Sequence, residues 1–240
     1  NEFDKELYPK FGSLGVLGQT VKTHGGSGTS NLAYGLVAYE FEKIDSSYRS
    51  SISVQSSLVI HPINEFGSQE QKDKYLPPLI KGEKIGCFGL TESEAGSDPT
   101  SMKTSFKKTK DGYIINGSKN WITNAPIADI FIIWAIEENK DHKSIKGFII
   151  EKNTEGLNTS TIENKTSLKI SPTGQIILNN VFVPNNLCLE NTEGWKSVFS
   201  CLNKARFGIS WGVLGSASEC WLIAKEYVEN RIMSVSYTHL

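Results

Sequence analysis

The residue types in this chain that could do chemistry crowd between Cys87 and Asn124. Phe88-Gly89-Leu90-Thr91-Glu92-Ser93-Glu94-Ala95-Gly96-Ser97-Asp98 opens the stretch, and Gly117-Ser118-Lys119-Asn120-Trp121-Ile122-Thr123-Asn124 closes it. The first segment reads as an apolar strand from Ile85 that ends in hydroxyl and glycine positions, where backbone amides can approach a ligand closely. The second sets one large aromatic, Trp121, beside a small hydroxyl donor, Thr123. A flat redox ring needs that pair: a face to stack on and a hydrogen bond to its reactive edge. Taken singly, each residue has a plainer reading. Thr91 is compatible with an ordinary strand end, Trp121 with a buried core indole, and Ser97 with a turn serine. Asp98, just before Pro99, reads as the residue that holds that turn by bonding backbone amides.

The elements that must position these residues are strands. Residues 103–122 contain Asp111-Gly112 and Asn116-Gly117, both favoured hairpin turns, with Tyr113-Ile114-Ile115 between them. Residues 130–134, 147–150 and 175–183 read as further strands, which predicts a small antiparallel sheet or barrel over 85–192. Residues 1–84 read as helices. Phe3, Leu7, Phe11 and Leu14 recur at helical spacing until Gly15 and Gly18 break it. The glycine-rich loop at 24–30 follows no predicted strand and lacks a Gly-Lys-Ser/Thr ending, so a turn capped by Ser30 is the better account than a phosphate cradle. Ala33, Val37, Phe41 and Ile44 then mark a helical face. A further helix spans 51–60 ahead of Pro62, and another starts at Ser68 with Gln71 reaching back and stops at Pro77-Pro78. From Trp195 onward Phe199, Leu202, Ala205 and Ile209 share a face. A long helix follows from Val213 toward Ile232, with Leu222, Ala224 and Val228 on its apolar side.

Composition narrows the function classes. Charged residues make up 21% and the net charge is -1, so there is no electrostatic case for nucleic acid or a membrane surface. No uninterrupted apolar run reaches the ~18 residues of a spanning helix. Cys87, Cys188, Cys201 and Cys220 are scattered, never in Cys-x-x-Cys, which predicts reduced, buried thiols and a reducing compartment. His24, His61, His142 and His239 have no metal-like spacing, so no metal site is expected. No Arg-rich leader is legible at the start.

The pattern Leu90-Thr91-Glu92-x-x-Ala95-Gly96-Ser97-Asp98, followed by Gly117-x-Lys119-x-Trp121-Ile122-Thr123-Asn124, resembles the flavin-contacting core of the acyl-CoA dehydrogenases. Within that family the chain most resembles the glutaryl-CoA dehydrogenases. The likeness there runs through Tyr48-Arg49-Ser50, Ser53-Val54-Gln55-Ser56-Ser57-Leu58 and Cys201-Leu202-Asn203-Lys204-Ala205-Arg206. It extends from about residue 2 to about residue 232. The resemblance implies an α+β fold: an N-terminal helical domain (1–84), a central antiparallel β domain (85–192) and the start of a C-terminal helical bundle (193–232). Residues 233–240 do not fit it and are set aside as a non-native tail.

The resemblance also implies FAD and assigns roles. Phe88, Leu90, Thr91, Gly96, Ser97, Trp121, Ile122, Thr123 and Arg231 fall on the flavin side. Thr91 and nearby amides would hold the pyrimidine edge, Trp121 would lie against the ring, and the Thr123 hydroxyl would bond its N5 edge. Arg231 would meet the flavin pyrophosphate of a neighbouring subunit. Arg49, Ser50, Ser97, Phe199, Asn203 and Arg206 fall on the substrate side, with Ser97 serving either flavin phosphate or the thioester and Arg206 lying with CoA. A lone Arg is ordinarily a solvated charge; by resemblance Arg49 instead faces the distal end of the acyl pocket, where its fork matches a carboxylate in two parallel bonds, with Ser50 assisting. The implied reaction removes the proton alpha to a thioester while a beta hydride leaves for the flavin, and a gamma-carboxylate then departs as carbon dioxide. Glutaryl-CoA would thus give crotonyl-CoA. No catalytic base is assigned within the chain: the family's glutamate would lie beyond Leu240, and Glu92 belongs to the structural turn. An electron-transfer flavoprotein as acceptor, a homotetramer and a mitochondrial matrix location complete what the resemblance implies. Two alternatives remain: an acyl-CoA dehydrogenase for a monocarboxylic substrate, and a non-catalytic flavin-family scaffold.

Overall fold

The computed structural model describes residues 3–140 and 144–232, so the tail at 233–240 and two of the four histidines, His142 and His239, lie outside the described residues. Helix α1 (Leu7–Ser13) buries Tyr8 and Phe11 and ends ahead of Gly15, as the spacing predicts. Helix α2 (Asn31–Ile44) starts at Ser30, whose hydroxyl accepts from the Ala33 amide. Its buried face is Tyr34, Gly35, Ala38 and Glu42. The predicted face is therefore rotated, and Ile44 is 75% exposed. Packing sets the rotation: a Cβ on Gly35 would lie 2.6 Å from the Trp211 ring, so only this side of α2 lets a C-terminal helix approach.

Helix α3 (Ser46–Ser53), a π-helical segment (Val54–Ile60) and α4 (His61–Phe66) run on as one rod, longer than the helix expected over 51–60. Pro62 does not stop it, because the wide π turn has already shifted the hydrogen-bond ladder before the missing N–H is felt. Helix α5 (Gln69–Ile80) opens on the predicted capping box of Ser68 and Gln71. It continues through Pro77 and Pro78, where an end was expected, as Leu76, Leu79 and Ile80 pull the last turn onto the core.

The sheet comprises β1 (Gly86–Gly89), β2 (Ser105–Lys108), β3 (Gly112–Thr123), β4 (Ile130–Glu137), β5 (Ile145–Glu151), β6 (Leu157–Thr161) and β7 (Thr173–Pro184). Its order is β1-β4-β2-β3-β7-β6, and β5 also pairs with β4. It is mixed rather than wholly antiparallel: β1 and β2 share one edge of β4 and both run parallel to it. The long loop between β1 and β2, which includes the 3-10 turn Pro99–Ser101, makes that reversal possible. Residues Ile130, Ile132 and Trp134 of β4 pack toward the helices, while Phe131, Ile133 and Ala135 point to the other side. Burial on both faces explains why this strand is apolar from Ile130 to Ile136.

Asp111-Gly112 closes the β2–β3 hairpin as read, with Thr109 and Gly112 bonded to each other. Asn116-Gly117 is not a turn. It lies inside β3 at a bulge against β7, where Gly117 takes φ +144° and a Cβ would sit 2.5 Å from the Thr104 hydroxyl. Strand β6 was not legible because four of its five residues are exposed and polar.

One helix, α6 (Trp195–Asn230), replaces the two segments expected after Trp195. It buries Val198, Cys201, Gly208, Gly212 and Gly215 rather than the predicted Leu202 and Ile209 stripe, and Leu222 and Val228 are exposed. Those glycines meet Tyr34, Glu42 with Arg49, and the Tyr39 backbone, so α6 lies directly on α2. Cys87, Cys188 and Cys201 are buried free thiols as expected, whereas Cys220 is exposed on α6.

Candidate active site

The chain leaves β1 at Gly89 and passes through Leu90 and Thr91 beside a second bulge of β3, between Lys119 and Ile122. That bulge throws Trp121 outward. Its backbone sits at φ +60°, a conformation that is a strained outlier for a bulky side chain, and the indole is 58% exposed. The reading of Trp121 as a core residue is thereby excluded. A 160 Å³ cleft opens against it, lined by Val54, Leu58, Phe88, Leu90, Thr91, Trp121, Ile122, Thr123 and Leu202. A second cleft of 270 Å³ lies between Trp121, Thr123 and the loop carrying Lys165, Ser167, Leu168 and Ser171. An apolar floor with hydroxyls at Thr91 and Thr123 and a free-standing indole is the surface a flat amphiphilic ring fits.

Six of the residues expected on the flavin side therefore meet: Phe88, Leu90, Thr91, Trp121, Ile122 and Thr123. Val54, Leu58 and Leu202 were missed as lining, since as apolar helix positions they look like any core residue. The 165–171 loop was missed as well, and its Lys-Thr-Ser composition carries no motif. Gly96 and Ser97 are exposed on the turn after Ala95 and do not line either cleft. Asp98 holds that turn as predicted, accepting from the Thr100 amide at 3.0 Å and its hydroxyl at 2.5 Å.

Beneath the cleft Lys119 is 1% exposed. Its ammonium donates to the Leu90 carbonyl at 3.0 Å and to Glu92 at 2.8 Å. Glu92 also accepts from the amides of Lys103 at 2.7 Å and Thr104 at 2.9 Å, which fulfils its structural role. Burial pushes the Lys119 amine down to about 8, against the pull of Glu92. Burial acts to raise the Glu92 carboxyl, yet Lys119 and the amides outweigh it and hold it below the usual range. Asn124 donates to the Tyr8 hydroxyl at 2.8 Å and the Gly86 carbonyl at 3.1 Å, tying the end of β3 to the helical unit.

Arg49 is no surface charge: only 7% of it is exposed, and its Nε donates to the Glu42 carboxylate. Ser50 beside it is buried too. Arg49 and Glu42 face Gly212 of α6, and Arg49 lies in a niche with Tyr34, Phe41, Ile52 and Ser53. The rod carrying Arg49 supplies Val54 to the cleft five residues later, roughly 7 Å along a helix. On α6, Phe199 is half-buried against Trp195, and Asn203 and Arg206 are exposed and bonded to each other at 3.0 Å. They lie outside the cleft, to which α6 contributes Leu202. Arg231 ends the helix over the Tyr227 ring, away from the cleft in this chain. Among the described residues no three His, Cys, Asp or Glu side chains cluster as metal ligands do, and no helix is long and apolar enough to cross a membrane.

Comparison with known proteins bears on this geometry. Residues 1–83 match the acyl-CoA dehydrogenase N-terminal domain and residues 87–181 the acyl-CoA dehydrogenase middle domain. A short-chain-specific acyl-CoA dehydrogenase of Clostridium acetobutylicum is 37% identical over 232 residues, covering 95% of this chain and 61% of the relative. The chain thus spans about three fifths of that relative's length. A glutaryl-CoA dehydrogenase of Mycobacterium smegmatis, solved with FADH2, superposes with a TM-score of 0.93 at 40% identity, covering 97% of this chain and 59% of the other. Butyryl-CoA dehydrogenase of Megasphaera elsdenii gives 0.91 at 34% identity, covering 99% and 64%. With both domain matches, the shared fold and a cleft built from the Thr91 and Trp121–Thr123 segments, the chain belongs to the acyl-CoA dehydrogenase family.

Proposed function

We propose that the protein of which this chain forms part is an FAD-dependent acyl-CoA dehydrogenase that oxidises and decarboxylates glutaryl-CoA to crotonyl-CoA. The observation that carries the flavin reading is Trp121, held exposed at positive φ between Thr91 and Thr123. FAD, when bound, supplies the hydride-accepting ring. Trp121 covers one side of the site and keeps water from it, while the hydroxyls of Thr91 and Thr123 orient what binds there through hydrogen bonds. Leu58, Phe88 and Leu90 keep the floor dry, which strengthens those bonds. Arg49 supports the dicarboxylic substrate. Glu42 takes only its Nε, and the Nη edge of the fork has the geometry for a second carboxylate. Holding that carboxylate fixes the alpha and beta carbons of the acyl chain relative to the cleft. Proton abstraction is assigned to a residue outside this chain, because Glu92 is bonded to Lys119 and Glu94 to Lys103.

A second reading has its own observation. Glu42 already neutralises Arg49, which suits a monocarboxylic acyl chain, and a short-chain-specific relative is 37% identical. Dye-reduction assays on the full-length protein with glutaryl-CoA and butyryl-CoA separate the two. We expect Arg49→Ala to lower kcat/KM for glutaryl-CoA on the order of a hundredfold, the cost of removing one partner of a buried charge pair, and to spare butyryl-CoA. Equal loss on both substrates would remove the carboxylate reading. Failure of the wild type on both, with FAD bound, would leave the scaffold reading. An electron-transfer flavoprotein as acceptor, a homotetramer and a mitochondrial matrix location belong to the same proposal, supported by family resemblance.

A further inference from the structure

Strands β1 and β3 share no ladder: β1 pairs with β4, and β3 pairs with β2 and β7. The two segments that form the candidate site nevertheless have to sit at one fixed separation. Four bonds span the gap where β1 gives way to Thr91. The Asn120 amide donates to the Thr91 carbonyl at 2.9 Å, the Lys119 ammonium reaches the Leu90 carbonyl and Glu92, and the Asn120 side chain meets the Ser93 hydroxyl at 3.3 Å. Only the Lys119–Glu92 contact is both charged and buried. The space for it is built in: a Cβ on Gly89 would fall 2.5 Å from Ile133 and 3.3 Å from the Lys119 stem, so the lysine crosses β1 where no side chain is present. Glu92 carries the link onward to the Lys103 and Thr104 amides, and Thr104 presses on the Gly117 bulge.

We infer that Lys119 is a positioning residue for the flavin site, clamping through Glu92 the Thr91 segment to the Trp121–Thr123 segment. This rests on the flavin reading proposed above. A buried ion pair adds little stability over an apolar pair of similar volume, because desolvating both charges offsets their attraction. Its use here is geometric. The clamp sets how far the Thr91 hydroxyl stands from the indole and from Thr123, with the lone backbone bond from Asn120 to Thr91 beside it, because no strand ladder joins the two segments.

The test uses the full-length protein and the paired variant Lys119→Met/Glu92→Gln, which removes both charges together and leaves no lone buried ion. We expect a folded protein with a nearly unchanged melting temperature in the absence of FAD. Its FAD Kd should rise, and its kcat fall, on the order of tenfold or more, while KM for the thioester stays put. The visible circular dichroism of its bound flavin should differ from wild type. Should the double variant not fold, Glu92→Gln, which keeps the side chain's length and one acceptor oxygen while removing the carboxylate charge, is read the same way. A variant with wild-type FAD affinity, flavin dichroism and kcat would overturn the clamp. So would losses of kcat that only track the fraction of folded protein. A wild type that takes up no FAD would overturn the flavin reading itself, and this role with it.

Discussion

Trp121 shows how much one residue can be bent to a task. A tryptophan at φ +60° costs on the order of 1–3 kcal/mol, and exposing its ring forgoes burial that the core would otherwise gain. Neither cost is recovered within the chain, which is what a surface made for a ligand looks like. Replacement by glycine, which adopts this backbone freely, should therefore act in opposite directions. Trp121→Gly is expected to stabilise the FAD-free protein by about 1 kcal/mol and to weaken FAD binding by roughly 10- to 100-fold through lost stacking. Thermal melts without cofactor and an FAD titration measure the two effects. A variant that is destabilised and still binds FAD normally would show that the indole serves the fold.

At the scale of elements, the contact between α2 and α6 depends on what is missing from side chains. Gly215 lies against the Tyr39 backbone, and an added Cβ would overlap its carbonyl. Gly215→Ala must push the helices apart, at a cost of about 1–3 kcal/mol in a denaturant titration. A midpoint equal to wild type would mean that the helices are less closely packed than described. The junction of α4 with α6 has a different vulnerability. His61 bonds Ser200 at 3.1 Å, and burial, with Lys204 adding to it, pushes its imidazole from 6.5 down to about 4. The unfolded chain then binds a proton that the folded chain refuses between those values. Stability is accordingly full above pH 6.5 and is lost as pH falls toward 4, by at most ~3 kcal/mol. Urea unfolding at pH 7.5 and pH 5 measures the loss, and His61→Gln should flatten it. A slope unchanged in His61→Gln would assign the acid sensitivity to other groups.

For the molecule as a whole, the proposed function puts binding in this chain and proton abstraction outside it. The floor, the indole and the hydroxyls of the cleft are all present, whereas Glu92 and Glu94, in the segment after Thr91, are bonded to lysines. We expect the 240-residue chain to give no dye reduction with glutaryl-CoA above background, and turnover comparable to the full-length enzyme would show that one of these carboxylates is free to act. What the sequence alone determined were features carried by a few successive residues. These were the caps at Ser30 and Ser68, the hairpin turn at Asp111-Gly112 and the apolar strands. Such signals survive in any context because their partners lie within a turn or two of the chain. Only the tertiary structure decided that Asn116-Gly117 is a bulge, that β1 and β2 run parallel to β4, and that Glu42 meets Arg49. It also decided that Val54, Leu58 and Leu202 line the cleft. Each of these depends on which surfaces exclude water together across long stretches of chain, and local residue order does not encode that pairing.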